Sequence, residues 1–508
     1  MIASRPCLLT RWRKNMRVAL LIPGNLDNKK SQIFGELLRS PPPLGVASIA
    51  AQIRAAGHDT IVIDQFSEQL SVEATVERLS TFGVDAVGYS CLTPNLPMIE
   101  ALNRELRIAL PNIKLFAGNA HASEYPDSVL FNSSPIDVVA HDEGEETSVA
   151  LLEAWESGAS LDDVVGLSFV RDGKRVSTPR RAPLMELDEM ARPAWDLMPI
   201  EHYRNSTQNM IPGDVQMLAV NLSRGCPWKC TYCAQNFYRT DTRRRDPDAV
   251  AAEVAWLVEE FGVTHFGFTD AVFPLTKDDA IGFADGIRKR GLAGKLKFLI
   301  TTRVDLIDVE GFQALKEVGL HIAYLGVESG SDATLEAVAK RATRSQALDA
   351  VEKLRKVGVL SYGLFVLGLP GETQRELNET LEFALELDCD IATFSRMTPY
   401  AGAPLDREHR IVERPEYADT HDNWHVGADV KLPDTDLTIA DVAAFQRWAM
   451  LRYFARPRVL LRILRGGYIS PAQLLSGGAL LLFHGLSTGI TNLIERVSDR
   501  TTRIPEPL

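Results

Sequence analysis

Residues 225–235 read GCPWKCTYCAQ and place Cys226, Cys230 and Cys233 in one short segment. The chain has six cysteines in 508 residues and spends half of them here, spaced C-x3-C-x2-C. Structural zinc sites take four protein ligands, commonly as two separated C-x2-C pairs. This chain has no second pair, and the next histidine is His265. A redox C-x-x-C pair would use Cys230 and Cys233 and leave Cys226 unexplained. Three thiolates on a 4Fe–4S cluster leave one iron open to a ligand that is not protein, as a cluster that binds a small molecule requires. The cluster is the expected occupant.

Outward from this loop, QMLAVNLSRG leads in as a strand and residues 247–261 follow as a helix. THFGFTDAVF (264–273), KLKFLITTRV (295–304), HIAYLGVESG (321–330), LSYGLFVLGLP (360–370) and CDIATFSRMTPY (389–400) then recur with a helix between each. Six parallel strands beginning at the cysteine strand predict a partial (β/α)6, TIM-like barrel over 216–410. Before it, VALLIPG (18–24), DTIVIDQ (59–65), DAVGYSC (85–91), KLFAGNA (114–120) and DVVAHDEG (137–144) alternate with helices. That rhythm predicts a parallel, doubly wound, Rossmann-like α/β domain over 17–150. Ligands on such sheets bind at the carboxyl ends of the strands. Gly24, Gly88, Ser90, Gly118 and Gly144 stand at those ends and are candidates for a pocket rim, with plain turn formation as the alternative.

Residues 151–215 read as a transition segment with a hairpin at 166–178 (GLSFVRDGKRVST), and 411–508 as a mainly helical region. Arg452, Arg456, Arg458, Arg462 and Arg465 lie among leucines in the helical stretch 437–465, and 466–494 contains no Asp, Glu, Lys or Arg. Glycines, serines and Pro471 interrupt that apolar stretch too often for a spanning helix. A basic and then apolar terminus is compatible with peripheral membrane contact through 452–494, with packing against the barrel as the alternative. The net charge of −12 argues against a nucleic-acid partner. Residues 1–16 are basic but lack the apolar stretch of a secretory signal. The uneven cysteines do not form a disulfide framework, which points to the cytoplasm. Cys91 and Cys389 read as buried small hydrophobes.

The cysteine motif, with Tyr232 at its aromatic position, resembles the C-x3-C-x-aromatic-C signature of the radical S-adenosylmethionine (SAM) superfamily. The resemblance implies that Cys226, Cys230 and Cys233 hold the cluster and that its open iron chelates SAM. It also implies a 5′-deoxyadenosyl radical that removes hydrogen from an unactivated carbon. FGFTDAVF resembles the segment near the SAM amino group, with the usual acidic pair reduced to Asp270 followed by Ala271. Arg303 and Glu328 match positions near the methionyl carboxylate and the ribose, with ordinary ion pairs as rivals. Gly368 and Gly371, in GLPGET (368–373), match the glycine-rich approach to adenine.

Residues 17–150 resemble the cobalamin-binding domain of class B radical SAM enzymes through PPPLGVASIAAQIRAAGH (41–58), AGNAHASEYPDSVL (117–130) and DVVAHDEGEET (137–147). The last departs from the family's arginine-glycine-glutamate opening by reading His141-Asp142-Glu143-Gly144-Glu145. TPYAGAPL (398–405) resembles the sixth-strand segment. The D-x-H-x-x-G motif that gives cobalt a histidine is absent, and His121 and His141 read as structural or pocket-lining. The family implies transfer of a methyl group to an unactivated carbon. Ring chemistry like that of the anaerobic magnesium-protoporphyrin monomethyl ester cyclase is the alternative, and a non-catalytic cobalamin sensor is the rival of another class. A flavodoxin- or ferredoxin-type reductant and a small, lipid-like or tetrapyrrole substrate complete the expectation.

Overall fold

The strand Arg17–Ile22 (β1) carries apolar side chains on both faces, as a central parallel strand flanked by helices requires. Val18 and Leu20 join one apolar layer with Val62 and Phe116, while Ala19 and Leu21 join the other with Ile63, Leu79 and Leu115. These features belong to a computed structural model that describes residues 15–24, 42–204, 211, 215–236, 241–398, 400–410 and 434–465.

Beside β1 lie Asp59–Asp64 (β2), Ala86–Ser90 (β3), Lys114–Gly118 (β4), Val138–Ala140 (β5), Leu167–Arg171 (β6) and Lys174–Ser177 (β7). Their order is β2-β1-β3-β4-β5-β6-β7. Pairing is parallel from β2 through β5, the doubly wound arrangement expected. The hairpin read at 166–178 adds β6 and β7 to the same sheet as an antiparallel edge. Its tight turn is Asp172-Gly173, where both residues take positive φ, 50° and 71°, as a two-residue hairpin demands. Strand order reverses direction between β1 and β3, the place where such sheets open a crevice.

The second sheet has six strands: Met217–Val220 (β8), then His265–Phe268 (β11), Lys297–Arg303 (β12), Leu320–Glu328 (β13), Leu360–Leu367 (β14) and Ile391–Arg396 (β15). Between β8 and β11, Ser223–Arg224 (β9) and Arg243–Arg244 (β10) form a small antiparallel ribbon. The order β15-β14-β13-β12-β11-β8 is parallel throughout and follows the sequence. β8 and β15 are the outermost strands and, among the described residues, do not pair with each other, so the sheet is an open six-stranded arc with helices outside. The helices start and stop where local chemistry dictates: Asp246 caps Pro247–Phe261 and Gly262, at φ 67°, ends it. Thr343 and Gln346 form a capping box on Arg344–Val357.

The segment after β7 ties the sheets together. Trp195 is fully buried in the core shared by both, the Ala194 N–H donates to Ala47 O at 3.0 Å, and the Tyr203 hydroxyl donates to Asp64 at 2.9 Å.

The helical stretch read at 437–465 is two helices, Ile439–Phe454 and Pro457–Arg465, because proline opens a helix but cannot continue one. The first docks on β15 through Tyr453, whose hydroxyl donates to Cys389 O at 2.6 Å. Of the five arginines singled out, Arg456 and Arg462 turn toward the arc and pair with Asp388 and Asp390. Residues 466–494 lie outside the described residues. No helix of the described residues is long and apolar enough to cross a membrane. Cys91 and Cys389 are buried, and burial pushes both thiols up to about 12.

Candidate active site

At the carboxyl end of β8 the chain turns through Asn221 and Leu222 into β9. Asp270, just past β11, accepts from the Leu222 and Ser223 N–H groups and from the Ser223 hydroxyl, the shortest contacts being 2.6 Å. Burial lifts its carboxyl to about 6 against those bonds. The carboxylate therefore fastens two strand ends and fixes where the cysteine loop leaves the sheet. Gly225, at φ 90°, makes the turn into the loop.

Cys230 is buried and Cys226 and Cys233 are half-buried. Burial raises the Cys226 thiol, and it raises that of Cys233 to about 11, each with a further push from the neighbouring thiols. The three sulfurs thus share one low-dielectric space, and each must lose its proton to bind metal. Among the described residues, no three His, Cys, Asp or Glu close around a single metal ion. Three thiolates with no fourth protein ligand suit a polynuclear iron–sulfur group that keeps one iron open.

Two aromatic residues seat the loop. Trp228 lies under Arg303, whose guanidinium carbon sits 4.4 Å from the ring centre. That guanidinium holds Asp305 in a fork at 2.9 and 3.1 Å and donates to Lys340 O and Arg341 O. The ion pair considered as a rival role for Arg303 is formed. The residue braces the turn 339–341, where Ala339 and Arg341 both take positive φ, 55° and 53°. Tyr232 packs with Val338, Leu369, Met397 and Leu405. Burial and the adjacent Glu328, which accepts its hydrogen bond, push its phenol up. Thr231 N–H donates to Val338 O at 3.1 Å and Leu405 N–H to Thr231 O at 2.9 Å, closing the cradle.

Glu328 ends β13 at a bulge with φ 67°, unusual for a side-chain-bearing residue and characteristic of sites under functional constraint. It is paired with Lys340 at 2.7 Å, and both are buried. Gly326 makes room for the pair, since a Cβ there would stand 2.7 Å from both partner atoms. Gly368 and Gly371, at φ 82° and 77°, form a turn above β14. The buried Glu372 clasps it by accepting from the Gly368 and Leu369 N–H groups at 2.8 and 3.0 Å, and burial pushes its carboxyl to about 7. Lys340 and Glu372 were not singled out in the sequence. Glu372 stands inside the glycine-rich GLPGET and could have been found there, whereas Lys340 has no local signal, because its pairing with Glu328 depends on the turn at 339–341.

Across from this loop, a crevice of about 470 Å³ opens at the β1/β3 switch point. Gly88, Ser90, Gly118 and Gly144 line it as expected, whereas Gly24 lies off it and donates its N–H to Gln65 at 2.9 Å. The other wall comes from the arc: Ser223, Gly225, Thr269 and also Gln235, two residues beyond Cys233. The cradle depends on missing side chains. A Cβ on Gly88 would stand 2.3 Å from the Phe116 ring, and one on Gly144 would stand 2.7 Å from Ile49 Cδ1. A large ligand with an apolar face and a polar rim fits such a wall. His121 bonds Thr93 and Ser128, and His141 bonds Ser168 while burial and nearby Arg180 lower it to about 4. Neither lines the crevice, so both histidines are structural, and the wall offers cobalt no imidazole among the described residues.

A buried ion cluster closes the crevice. Glu143 takes both amino groups of Arg243 at 2.8 Å, and Glu145 takes Arg224 at 2.7 Å. Burial alone would raise the Glu143 carboxyl, but the two arginines outweigh it and hold it below the usual range. The stretch 141–145, where the sequence departs from the family pattern, thus clamps the first domain to the arc.

A three-thiol loop at the mouth of an open arc, facing a doubly wound domain across one crevice, defines an enzyme that couples a cluster to a second large cofactor. The chain belongs to the cobalamin-dependent radical SAM family. The radical SAM superfamily model matches residues 220–384 and the B12 binding domain model matches 33–152. The chain is 29% identical to an uncharacterized methyltransferase of Pyrococcus horikoshii over 88% of this chain and 95% of that protein. It is 30% identical to the anaerobic magnesium-protoporphyrin IX monomethyl ester cyclase of Rubrivivax gelatinosus, over 77% of this chain and 70% of that one. In fold it is similar to the radical SAM methyltransferase TsrM of Kitasatospora setae, solved with cobalamin and a 4Fe–4S cluster. That match has a TM-score of 0.64 at 16% identity and covers 90% and 92% of the two chains. A 4Fe–4S cluster, SAM and cobalamin are the cofactors of this enzyme.

Proposed function

We propose that the protein is a cobalamin-dependent radical SAM methyltransferase acting on an unactivated carbon of a small molecule. One observation carries this reading: the crevice beneath β1 and β3 reaches Gly225 and Gln235, the residues flanking the three cysteines. When bound, the cluster with SAM supplies a carbon-centred radical and cobalamin supplies a methyl group, so the two must meet within one enclosure. Cys226, Cys230 and Cys233 are the thiols that would hold the cluster. Tyr232 and Trp228 keep their loop rigid through Glu328 and Arg303. Glu328, with Lys340 as its counter-ion, would accept from a ribose, and the turn at Gly368 and Gly371 would lie beside the base. Gly88, Ser90, Gly118 and Gly144 shape the cobalamin wall. The arginine–glutamate clamp keeps water out of the gap.

The similarity to the protoporphyrin cyclase supports a second reading, ring closure on a tetrapyrrole. Anaerobic turnover with methyl-labelled SAM separates the two. Label in the product supports methyl transfer, whereas 5′-deoxyadenosine formed without labelled product supports cyclisation. A flavodoxin or ferredoxin suits the need for one-electron reduction, the similarity to the protoporphyrin cyclase favours a tetrapyrrole or other lipid-like small molecule as substrate, and the reducing cytoplasm suits the free thiols.

A further inference from the structure

We propose that the outer face of the helices Ile439–Phe454 and Pro457–Arg465 docks on an anionic lipid bilayer. From Val442 to Ile494 the chain carries six arginines and no Asp, Glu or Lys, in a protein whose net charge is −12. The structure sorts these arginines. Arg456 lies against the Tyr453 ring and pairs with Asp388, and Arg462 pairs with Asp388 and Asp390, so both serve the arc. Arg447, Arg452, Arg458 and Arg465 are exposed, with Arg458 also within 3.4 Å of Asp388.

The apolar residues are sorted the same way. Val442, Phe445, Ala449 and Tyr453 are buried, while Trp448 is 53% exposed and Leu451 54%. On the second helix Val459 and Ile463 are buried, and Leu461 and Leu464 are 49% and 38% exposed. Helical periodicity places Ala444, Trp448, Leu451 and Ala455 on one strip, flanked on either side by Arg447 and Arg452. Pro457, Leu461 and Leu464 form the corresponding strip of the second helix, bordered by Arg458 and Arg465. Arg452 lies over the Trp448 ring with 5.7 Å to its centre.

An apolar strip with cations at its border and a tryptophan within it is the chemistry of the bilayer interface, where rings sit at headgroup depth and arginines meet phosphate. An acidic protein would complement the arginines but leave Trp448, Leu451, Leu461 and Leu464 facing its polar surface. A bilayer satisfies both. The acidic remainder of the molecule is repelled by the same membrane, which orients it with this face inward. The inference goes beyond methyl transfer and is read without turnover, so either can fail while the other stands.

The test is co-sedimentation of the full chain with vesicles of phosphatidylglycerol and phosphatidylcholine, against phosphatidylcholine alone. Binding to the anionic vesicles should weaken with salt. It should fall about fivefold for each outward arginine neutralised, read on R447Q/R452Q. It should also fall with Trp448→Asp. Iron content and circular dichroism, unchanged in these surface variants, confirm that they fold. Four results would overturn the proposal: no pelleting with anionic vesicles, equal pelleting with neutral ones, pelleting unchanged in both variants, or a salt-sensitive complex with an acidic flavodoxin in place of lipid.

Discussion

The cysteine loop and the crevice are adjacent but are built in opposite ways. Eight consecutive residues, 226–233, carry all three thiols, and the surrounding cradle only orients them. The crevice is assembled from pieces between Leu20 and Ala271, and its two walls belong to different sheets. The first site is specified by local spacing and the second by docking. A single substitution should therefore abolish the first outright, whereas the second should fail in graded steps as the clamp or cradle loosens.

Replacing Cys226, Cys230 or Cys233 with alanine has the largest expected effect. Each variant should lose the iron–sulfur absorbance and all reductive cleavage of SAM while keeping its cobalamin, because the crevice wall contains none of the three. Parallel loss of cobalamin would show the two sites to be one cooperative unit and erase the contrast. The clamp comes next. Arg243→Ala leaves Glu143 in a half-buried site with Arg224 as its remaining partner, so the loss should stay below the cost of a fully unpaired buried charge, about 3–5 kcal/mol. Denaturation should show that loss, with cobalamin affinity falling together with it. A variant that unfolds as the parent does would mean Arg224 alone holds the domains.

The same contrast explains what could be read in advance. Strand runs, the parallel rhythm and the three-thiol spacing are local signals, and the structure contains them. Strand ends were less legible: THFGFTDAVF reads as one strand, but β11 stops at Phe268 because Thr269 to Phe273 turn across the top of the sheet. The clamp could not be read, since Glu143 and Arg243 lie 100 residues apart and their pairing depends on how the domains dock. Gly24 misled for the opposite reason: it ends a strand as the others do, but Gln65 takes its N–H and it lies off the crevice. The arginines of 452–465 looked alike in sequence, but helical phase turns Arg456 and Arg462 toward Asp388 and leaves Arg452 and Arg465 outward, with Arg458 at the border, exposed but within 3.4 Å of Asp388.

The turn above β14 sharpens the comparison through pH. Glu372 has a carboxyl raised from 4.5 to about 7 because burial outweighs its two N–H donors. A raised acid binds its proton more tightly folded than unfolded, so its contribution is complete below about pH 4.5 and is lost as pH rises toward 7. The span corresponds to about 3 kcal/mol. Urea midpoints should fall across that window in the parent and vary less in Glu372→Gln, which keeps an acceptor for the same donors. Equal slopes in the two proteins would assign the dependence elsewhere, with Asp270, raised to about 6, the next group to test.

The smallest effects come from the crevice glycines, and they differ for a reason visible in the packing. Gly88 has an ordinary φ, so only space matters there. A Cβ would meet the Phe116 ring at 2.3, 2.7 and 2.8 Å, and that ring is buried and held edge-on to Trp155 with centres 6.0 Å apart. It cannot yield without moving a second aromatic, and overpacking of this kind costs about 1–3 kcal/mol. Gly144 meets only the end of Ile49, a group that can rotate away, and it opens the helix Gly144–Ser157, where alanine gains up to about 1 kcal/mol over glycine. At Gly24, among the described residues, nothing lies nearer than 3.7 Å. Melting temperatures of the three alanine variants should therefore order as Gly88→Ala lowest, with Gly144→Ala and Gly24→Ala near the parent. Gly88→Ala should also weaken cobalamin binding the most, because the Phe116 ring it displaces is a rigid part of the wall, whereas Ile49, on the same wall, can turn aside. If Gly144→Ala proves the more damaging, the closure of that wall depends on Ile49 and not on the aromatic pair.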